Sequence, residues 1–265
     1  MIARAVKQSN SFARISALLA ISCMATGVGY SNPNSSASDD VSGSVLTVEI
    51  AKQYLANADS VDTKQFTAIE DAAAEALGKH DGQLNLSGLT SLSDSQAEAL
   101  ARRKGDLGLA GLTELSEAAT EALARHEGYL YLHGLTSLSD SQAAFLSNHD
   151  GDLALAGLTS LSDAAAEALG NHKGYLGLGG LKSLSESQAA FLSKHEGGLG
   201  LGGLTSLSDV AADALSKPEG DLWLNGLTSL SDSAAEALGN HKGELAVDHS
   251  KLPPSASKIL KDAGH

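Results

Sequence analysis

The sequence is poor in the residues that staple, kink or bulk out a compact domain. Its 265 residues include one cysteine, Cys23, so no intrachain disulfide forms and no thiolate cluster holds a metal. Only four prolines interrupt it, and two of them, Pro253 and Pro254, fall together near its end. Aromatic residues make up 4%, too few large side chains to fill a globule of this length. Positive charge is also scarce: 18 lysines and arginines stand against 32 acids, for a formal net charge of −14. That balance argues against nucleic acid and anionic membrane surfaces as partners. No nucleophile elbow, His-Glu-x-x-His pair, phosphate loop or glycine fingerprint occurs, so the reading is of a protein that is not an enzyme, with no catalytic residue and no cofactor.

What the chain does contain is leucine, alanine and glycine in a strict period. Copies of one 23-residue unit begin at Leu84, Leu107, Leu130, Leu153, Leu176, Leu199 and Leu222. A fixed period of this length marks a solenoid, in which each unit buries its apolar face only by stacking on its neighbours. Within a unit, Leu130, Tyr131, Leu132 and His133 alternate as a half-buried strand does. Gly134 and its copies follow, where the backbone needs positive φ or very close packing. Ser139 then reads as a helix N-cap, with Asp140 suited to the helix dipole and Gln142 completing a capping box, repeated at Ser93 with Gln96 and Ser185 with Gln188. Gly151 and its copies are expected to stop each helix in the left-handed conformation. The expected fold is α/β: a right-handed solenoid of strand, turn and short helix, with a parallel sheet on one face and helices on the other.

The repeated LxLxGLxxLS pattern resembles that of bacterial leucine-rich repeat proteins, over Val61 to Val247, with an atypical 23-residue unit. The family's usual LxxLxLxxNxL carries an asparagine after the strand that ties neighbouring turns together. Aligning the strand leucines puts Leu89 at that place, so the turn is expected to satisfy its backbone in another way, through the column of Thr90, Thr113, Thr136 and Thr159.

Outside the repeats the chain divides as follows. Residues 1–29 begin with Arg4, Lys7 and Arg14 and continue in an apolar run too short to span a membrane, which fits a secretory signal peptide and an exported protein, periplasmic, cell-surface or extracellular. Leu19-Ala20-Ile21-Ser22-Cys23 also resembles a lipoprotein signal, which makes Cys23 a candidate for lipidation and a lipid anchor. Residues 30–44 read as a disordered polar linker. Residues 45–83 read as an N-terminal cap, a helix opened by Thr47 followed by a degenerate repeat. The seven repeats occupy 84–244, and residues 245–265 form a C-terminal cap.

Three sets of residues are candidates for function. Histidines recur near the helix ends as His80, His126, His149, His172, His195 and His241, with Arg103 and Pro218 in the same column. One column does not converge as a metal site must, so these are expected to be helix C-terminal residues that meet free carbonyls and suit the dipole, with protonation changing the charge of that edge without operating a switch. Acids at the helix starts, from Asp94 to Asp232, supply one carboxylate per unit, too few for calcium. The strand face is the one place where units differ in character. Against a floor of glycine and alanine stand Tyr129, Tyr131, His133, Tyr175 and Trp223, with Asp152 and Asp221 along one margin beside Asp106. At about 4.8 Å per strand, Tyr175 is expected roughly 10 Å from Tyr129, and Trp223 roughly 19 Å from Tyr131 as a separate contact. Exposed aromatics with acids suit protein recognition or sugar stacking; the bland alternative is that the rings only cover neighbouring glycines.

Two functions fit: a binding module whose open strand face takes a protein or carbohydrate ligand, or an envelope spacer with no specific ligand there. In both, the fold is expected to need neither metal nor disulfide. A chelator should leave the melting temperature within a degree or two, as read by circular dichroism.

Overall fold

The computed structural model describes residues 44–265; residues 1–29, read above as a signal peptide, Cys23 within them, and residues 30–43 of the expected linker lie outside the described residues. The described chain opens with a short strand β1 (Val45–Leu46) and helix α1 (Val48–Ala56), whose N-cap Thr47 accepts the Ile50 N–H. Two 3-10 turns, Ala58–Ser60 and Thr63–Gln65, lead to β2 (Ala68–Ile69) and α2 (Asp71–Leu77). β1 and β2 pair in parallel as a small sheet of their own, 23 residues apart in register, with Leu46 beside Ile69.

From Leu84 onward each unit forms the same pair of elements. The strands are β3 (Leu84–Asn85), β4 (Leu107–Gly108), β5 (Leu130–Tyr131), β6 (Leu153–Ala154), β7 (Leu176–Gly177), β8 (Leu199–Gly200), β9 (Leu222–Trp223) and β10 (Leu245–Ala246). They form one eight-stranded parallel sheet in sequence order, and every pair joins residues 23 apart. The helices are α3 (Asp94–Ala101), α4 (Glu117–Leu123), α5 (Asp140–Leu146), α6 (Asp163–Leu169), α7 (Glu186–Leu192), α8 (Asp209–Leu215), α9 (Asp232–Leu238) and a final α10 (Pro254–Asp262). Each packs on the next, so strands line one side and helices the other.

The core is a set of leucine columns between them. In the third unit Leu130, Leu132, Leu135 and Leu146 are 1% exposed or less, and their copies are buried too. Burying one leucine is worth about 1.5–3 kcal/mol, which a lone unit cannot collect because half its core contacts come from its neighbours. Small helix residues, Ala97, Ala119, Ala143, Ala165, Ala189, Ala211 and Ala234, are fully buried at the same interface and let the short helices approach the leucines. At the open ends, α1 packs against α2, and α10 packs against α9 with Leu252, Ala256 and Leu260 buried.

The turn after the strand is closed by the backbone. The Leu135 N–H donates to the Leu132 carbonyl at 3.2 Å, as Leu89 does to Leu86, and the same bond recurs in every unit through Leu227 to Leu224. This bond does the work expected of the threonine column, which contributes at two places only: the Thr90 and Thr228 hydroxyls donate to the carbonyls of Thr67 and Thr205, each at 3.3 Å. Glycine is required beside the turn for close approach and not for positive φ. A Cβ on Gly157 would overlap the carbonyl oxygens of His133 and Leu135 in the preceding unit.

The helix starts follow the sequence reading. Ser93, Ser139 and Ser185 each accept the N–H three residues on while Gln96, Gln142 and Gln188 return the bond, completing three capping boxes. Each glutamine also donates backwards to the preceding unit, Gln142 to the Leu115 carbonyl at 2.7 Å and Gln188 to Leu161 at 2.8 Å. The N-cap hydroxyls of Ser116, Ser162 and Ser231 donate to Asp94, Asp140 and Asp209 one unit earlier. The helix-start acids are therefore cross-repeat acceptors as well as dipole partners.

The helix ends differ from expectation. The helix of the third unit terminates at Leu146 with the next residue still right-handed, so Gly151 stands five residues beyond. In its column Gly82, Gly105 and Gly128 have positive φ, at 107°, 102° and 137°. The others are glycine because a Cβ would strike the previous copy's carbonyl, as Gly151 on Gly128.

Gly157→Ala should accordingly lower stability by about 1–3 kcal/mol, measured as a fall in the urea midpoint, because it overpacks rigid backbone. Gly202→Ala is the control. It has no heavy atom within 4 Å of the added methyl, so it should be neutral or slightly stabilising.

Candidate binding face

Three columns of side chains project from the sheet away from the leucine core. The first, just before each strand, runs Gln83, Asp106, Tyr129, Asp152, Tyr175, Gly198, Asp221, Glu244; the second runs Asn85, Gly108, Tyr131, Ala154, Gly177, Gly200, Trp223, Ala246. The third holds Ser87, Ala110, His133, Ala156, Gly179, Gly202, Asn225 and Asp248.

Alternation about Leu130 and Leu132 puts Tyr129, Tyr131 and His133 on this face together. Tyr129 and Tyr131 stack with centroids 4.0 Å apart and planes 6° from parallel, and His133 tilts against Tyr131 at 5.9 Å. The rings of neighbouring units do not stand at strand spacing, as expected from the backbone alone. Tyr175 leans towards Tyr129, with centroids 6.3 Å apart, and Trp223 meets Tyr175 edge to face at 5.3 Å. The expected separate contact at Trp223 is thus joined to the rest, and one continuous aromatic strip runs from β5 to β9. The cause is the glycine floor. With no side chains at Gly177, Gly198 and Gly200, the Tyr175 ring lies over all three and Trp223 reaches back over Gly198. Tyr129 and Tyr131 do not lie over glycine in this way.

Asp152 and Asp221 hold the margin in a defined manner. Asp152 accepts the Tyr175 N–H at 2.7 Å and Asp221 accepts the Glu244 N–H at 3.0 Å; Asp106 does the same for Tyr129 at 3.3 Å. In each case one oxygen, Oδ1, takes the bond, and the second takes no part in this ladder. Burial raises the phenol pKa values of Tyr129, Tyr131 and Tyr175, and the nearby Asp152 raises them further. All three stay neutral donors at physiological pH. Burial also lowers the His133 pKa, so that ring is neutral too. The face is therefore a half-buried apolar strip with hydroxyl groups, bordered by carboxylates.

Most of the helix-end histidines are buried. His126, His149, His172 and His195 are each 1% exposed and His241 is 5% exposed, whereas His80, at the start of the column, is exposed. Four imidazoles form a parallel ladder with centroids 6.4, 6.2 and 5.9 Å apart. Three meet carbonyls of the preceding unit: His126 Nε2 lies 2.7 Å from Gly105 O, His149 Nε2 3.0 Å from Gly128 O, and His241 Nδ1 3.2 Å from Ser216 O. His195 Nε2 instead lies 3.2 Å from Gly198 O, just ahead of it, and His172 Nε2 has no hydrogen-bond partner among the described residues. The Nδ1 atoms of His126, His149, His172 and His195 have no hydrogen-bond partner among the described residues. Arg103, also buried, occupies the column before His126 and donates to the Gly82 carbonyl.

Charge on this ladder is disfavoured. Two imidazolium rings about 6 Å apart repel by about 3 kcal/mol at an effective dielectric of ~20, in addition to the cost of burial. Desolvation lowers the pKa of all four rings, and neighbouring rings lower that of His172 further, to about 4. The carboxylates of Asp150 and Glu196 oppose this weakly at His149 and His195. Burial was not legible from the sequence, where a polar residue past a helix end reads as exposed. The signal that could have found it is the identity of the residue: a solvated column has no reason to keep one uncharged ring type.

Among the described residues no group of three or more histidine, cysteine, aspartate or glutamate side chains could hold a metal ion, and no helix is long and apolar enough to cross a membrane. No protein-family model matches the chain, and no curated protein is similar to it in sequence.

The histidine ladder sets a pH dependence. In the unfolded chain these histidines titrate near 6.5, well above their folded values. Between about pH 6.5 and 4 the unfolded chain therefore binds more protons than the folded one. Stability should be complete above about pH 6.5 and fall as pH drops towards 4, each ring contributing at most about 1.4 kcal/mol per pH unit. Urea midpoints measured between pH 7.5 and 4.5 should show this slope, and His172→Leu should flatten it.

Proposed function

We propose that this is an exported, non-enzymatic binding module of the leucine-rich repeat type, which uses its open strand face to recognise a protein or glycan. The observation that carries the reading is the continuous aromatic strip from His133 to Trp223 on a floor otherwise built of glycine and alanine. The five rings come from the units of β5, β7 and β9 and meet across the intervening strands. Rings with neutral hydroxyl groups and a carboxylate border offer apolar area and directional hydrogen bonds together, the combination enriched at recognition surfaces.

The second reading, an envelope spacer, has its own support. Tyr175 and Trp223 cover glycines, and the margin aspartates bond to the next unit's backbone, so both sets contribute to the stability of the array. Tyr131 separates the two readings because it covers no glycine.

Trp223 is the only tryptophan in the chain, so its fluorescence reports on the strip directly. Titrating panels of oligosaccharides and peptides against this signal should find a ligand whose affinity Tyr131→Ala lowers by about tenfold or more, that is, about 1–2 kcal/mol. The melting temperature of that variant should barely change, while that of Trp223→Ala should fall. Unchanged affinity in folded Tyr131→Ala would leave the spacer reading standing.

A further inference from the structure

The charge on the strand face has one sign. Its three columns carry Asp106, Asp152, Asp221, Glu244 and Asp248 and not a single lysine or arginine. The basic residues of the described chain stand outside these columns, and several pair there with acids: Arg102 with Glu75 and Glu98, Arg125 with Glu121, Lys194 with Glu167, Lys217 with Asp213, and Lys242 with Glu219. Lys251, at the far end of this side, pairs with Asp248 at 2.9 Å and donates to the Asn225 carbonyl at 3.2 Å.

We propose that the aromatic strip takes a basic polypeptide segment, one that presents arginine or lysine side chains to the rings while the margin carboxylates face the charge. The inference rests on the strand face being a recognition surface and adds the chemistry of its partner. Three features of the strand face support it. Tyrosine and tryptophan faces attract a cation through the ring quadrupole, and arginine can stack on them as well. Asp106 and Asp152 lie close enough to the Tyr129 and Tyr131 phenols to raise their pKa values, so a guanidinium seated on those rings is within the same carboxylate field. Each of these aspartates spends only Oδ1 on the inter-repeat ladder, and Oδ2 is outside it. The strip crosses from β5 to β9, four strand spacings or about 19 Å, which is the length of roughly six extended residues. A single small cation would use only part of it.

An isosteric change isolates the charge. In Asp106→Asn/Asp152→Asn the amide oxygens can still accept the Tyr129 and Tyr175 N–H groups, so the array should melt as before. The probes are four: a hexapeptide alternating arginine and glycine, its glutamate counterpart, its serine counterpart and a neutral oligosaccharide of glucosamine type, all read by Trp223 fluorescence. The expected result is binding of the arginine peptide only, weakened at least tenfold by raising salt from 0.05 to 0.5 M, since screening shortens the reach of charge. The double asparagine variant and Tyr131→Ala should each weaken it at least fivefold. Neutralising acids outside the three strand-face columns, Glu114→Gln between β4 and α4 together with Glu236→Gln on α9, should not. An equal loss in that control would reduce the effect to general attraction by an acidic protein and overturn the proposal. Binding of the oligosaccharide or of the serine peptide, sensitive to Tyr131→Ala but not to the asparagine variant, would overturn the basic partner and keep the recognition face. If no probe binds and no variant has an effect, both fall together.

Discussion

Everything in this molecule depends on holding one backbone against its copy 23 residues later. The strands are two residues long and the helices in the repeats seven or eight, so neither is stable alone. What fixes them is contact between equivalent atoms of successive units: strand N–H to strand carbonyl, N-cap hydroxyl to the previous acid, glutamine to the previous carbonyl, imidazole to the previous glycine. These contacts close only if each unit sits at the same offset from the last. Two columns of glycine enforce that offset, since a methyl group at Gly157 or Gly151 would strike the carbonyls of the unit beneath. Leucine burial supplies the driving force, and the glycines determine the spacing at which it is collected.

The period made the architecture legible before any coordinates. A strand alternation followed by a Ser-x-x-Gln box can be read from local preference alone, and the capped helices begin where those serines stand. The features that escaped reading depend on distances between units. Nothing local distinguishes a glycine that needs positive φ from one that needs room, so Gly151 reads as a helix stop and is in fact a contact point. The histidines read only as helix-end residues that meet free carbonyls; whether the next turn covers them depends on how tightly the units stack. The strand face falls between these cases. The facing of Tyr129, Tyr131 and His133 follows from alternation. The meeting of Tyr175 with Tyr129 and Trp223 follows from side-chain lean over missing Cβ atoms, which backbone spacing does not contain.

The molecule keeps its two kinds of ring in different surroundings. Imidazoles form an internal column near the helix ends, and burial holds four of them neutral. Tyr129, Tyr131, Tyr175 and Trp223 form an outer strip on the strand face. The first recurs in most units, as a structural part should. The second comes from the units of β5, β7 and β9 and is different in each, which is the pattern of a surface shaped for something outside the array.

The ladder of contacts one unit apart also governs how the chain reaches this state. Parallel sheets are slow to form when their strands are distant in sequence, because a long loop must close before any pairing is gained. Here every strand finds its partner 23 residues away, and the cross-unit side-chain bonds span 21 to 27 residues. The closure cost is thus short, and the same at every step. Once two units have docked, each further unit adds to a template already in place, so growth can proceed from any internal nucleus towards both ends. The caps are then the last pieces to settle and the first to fray.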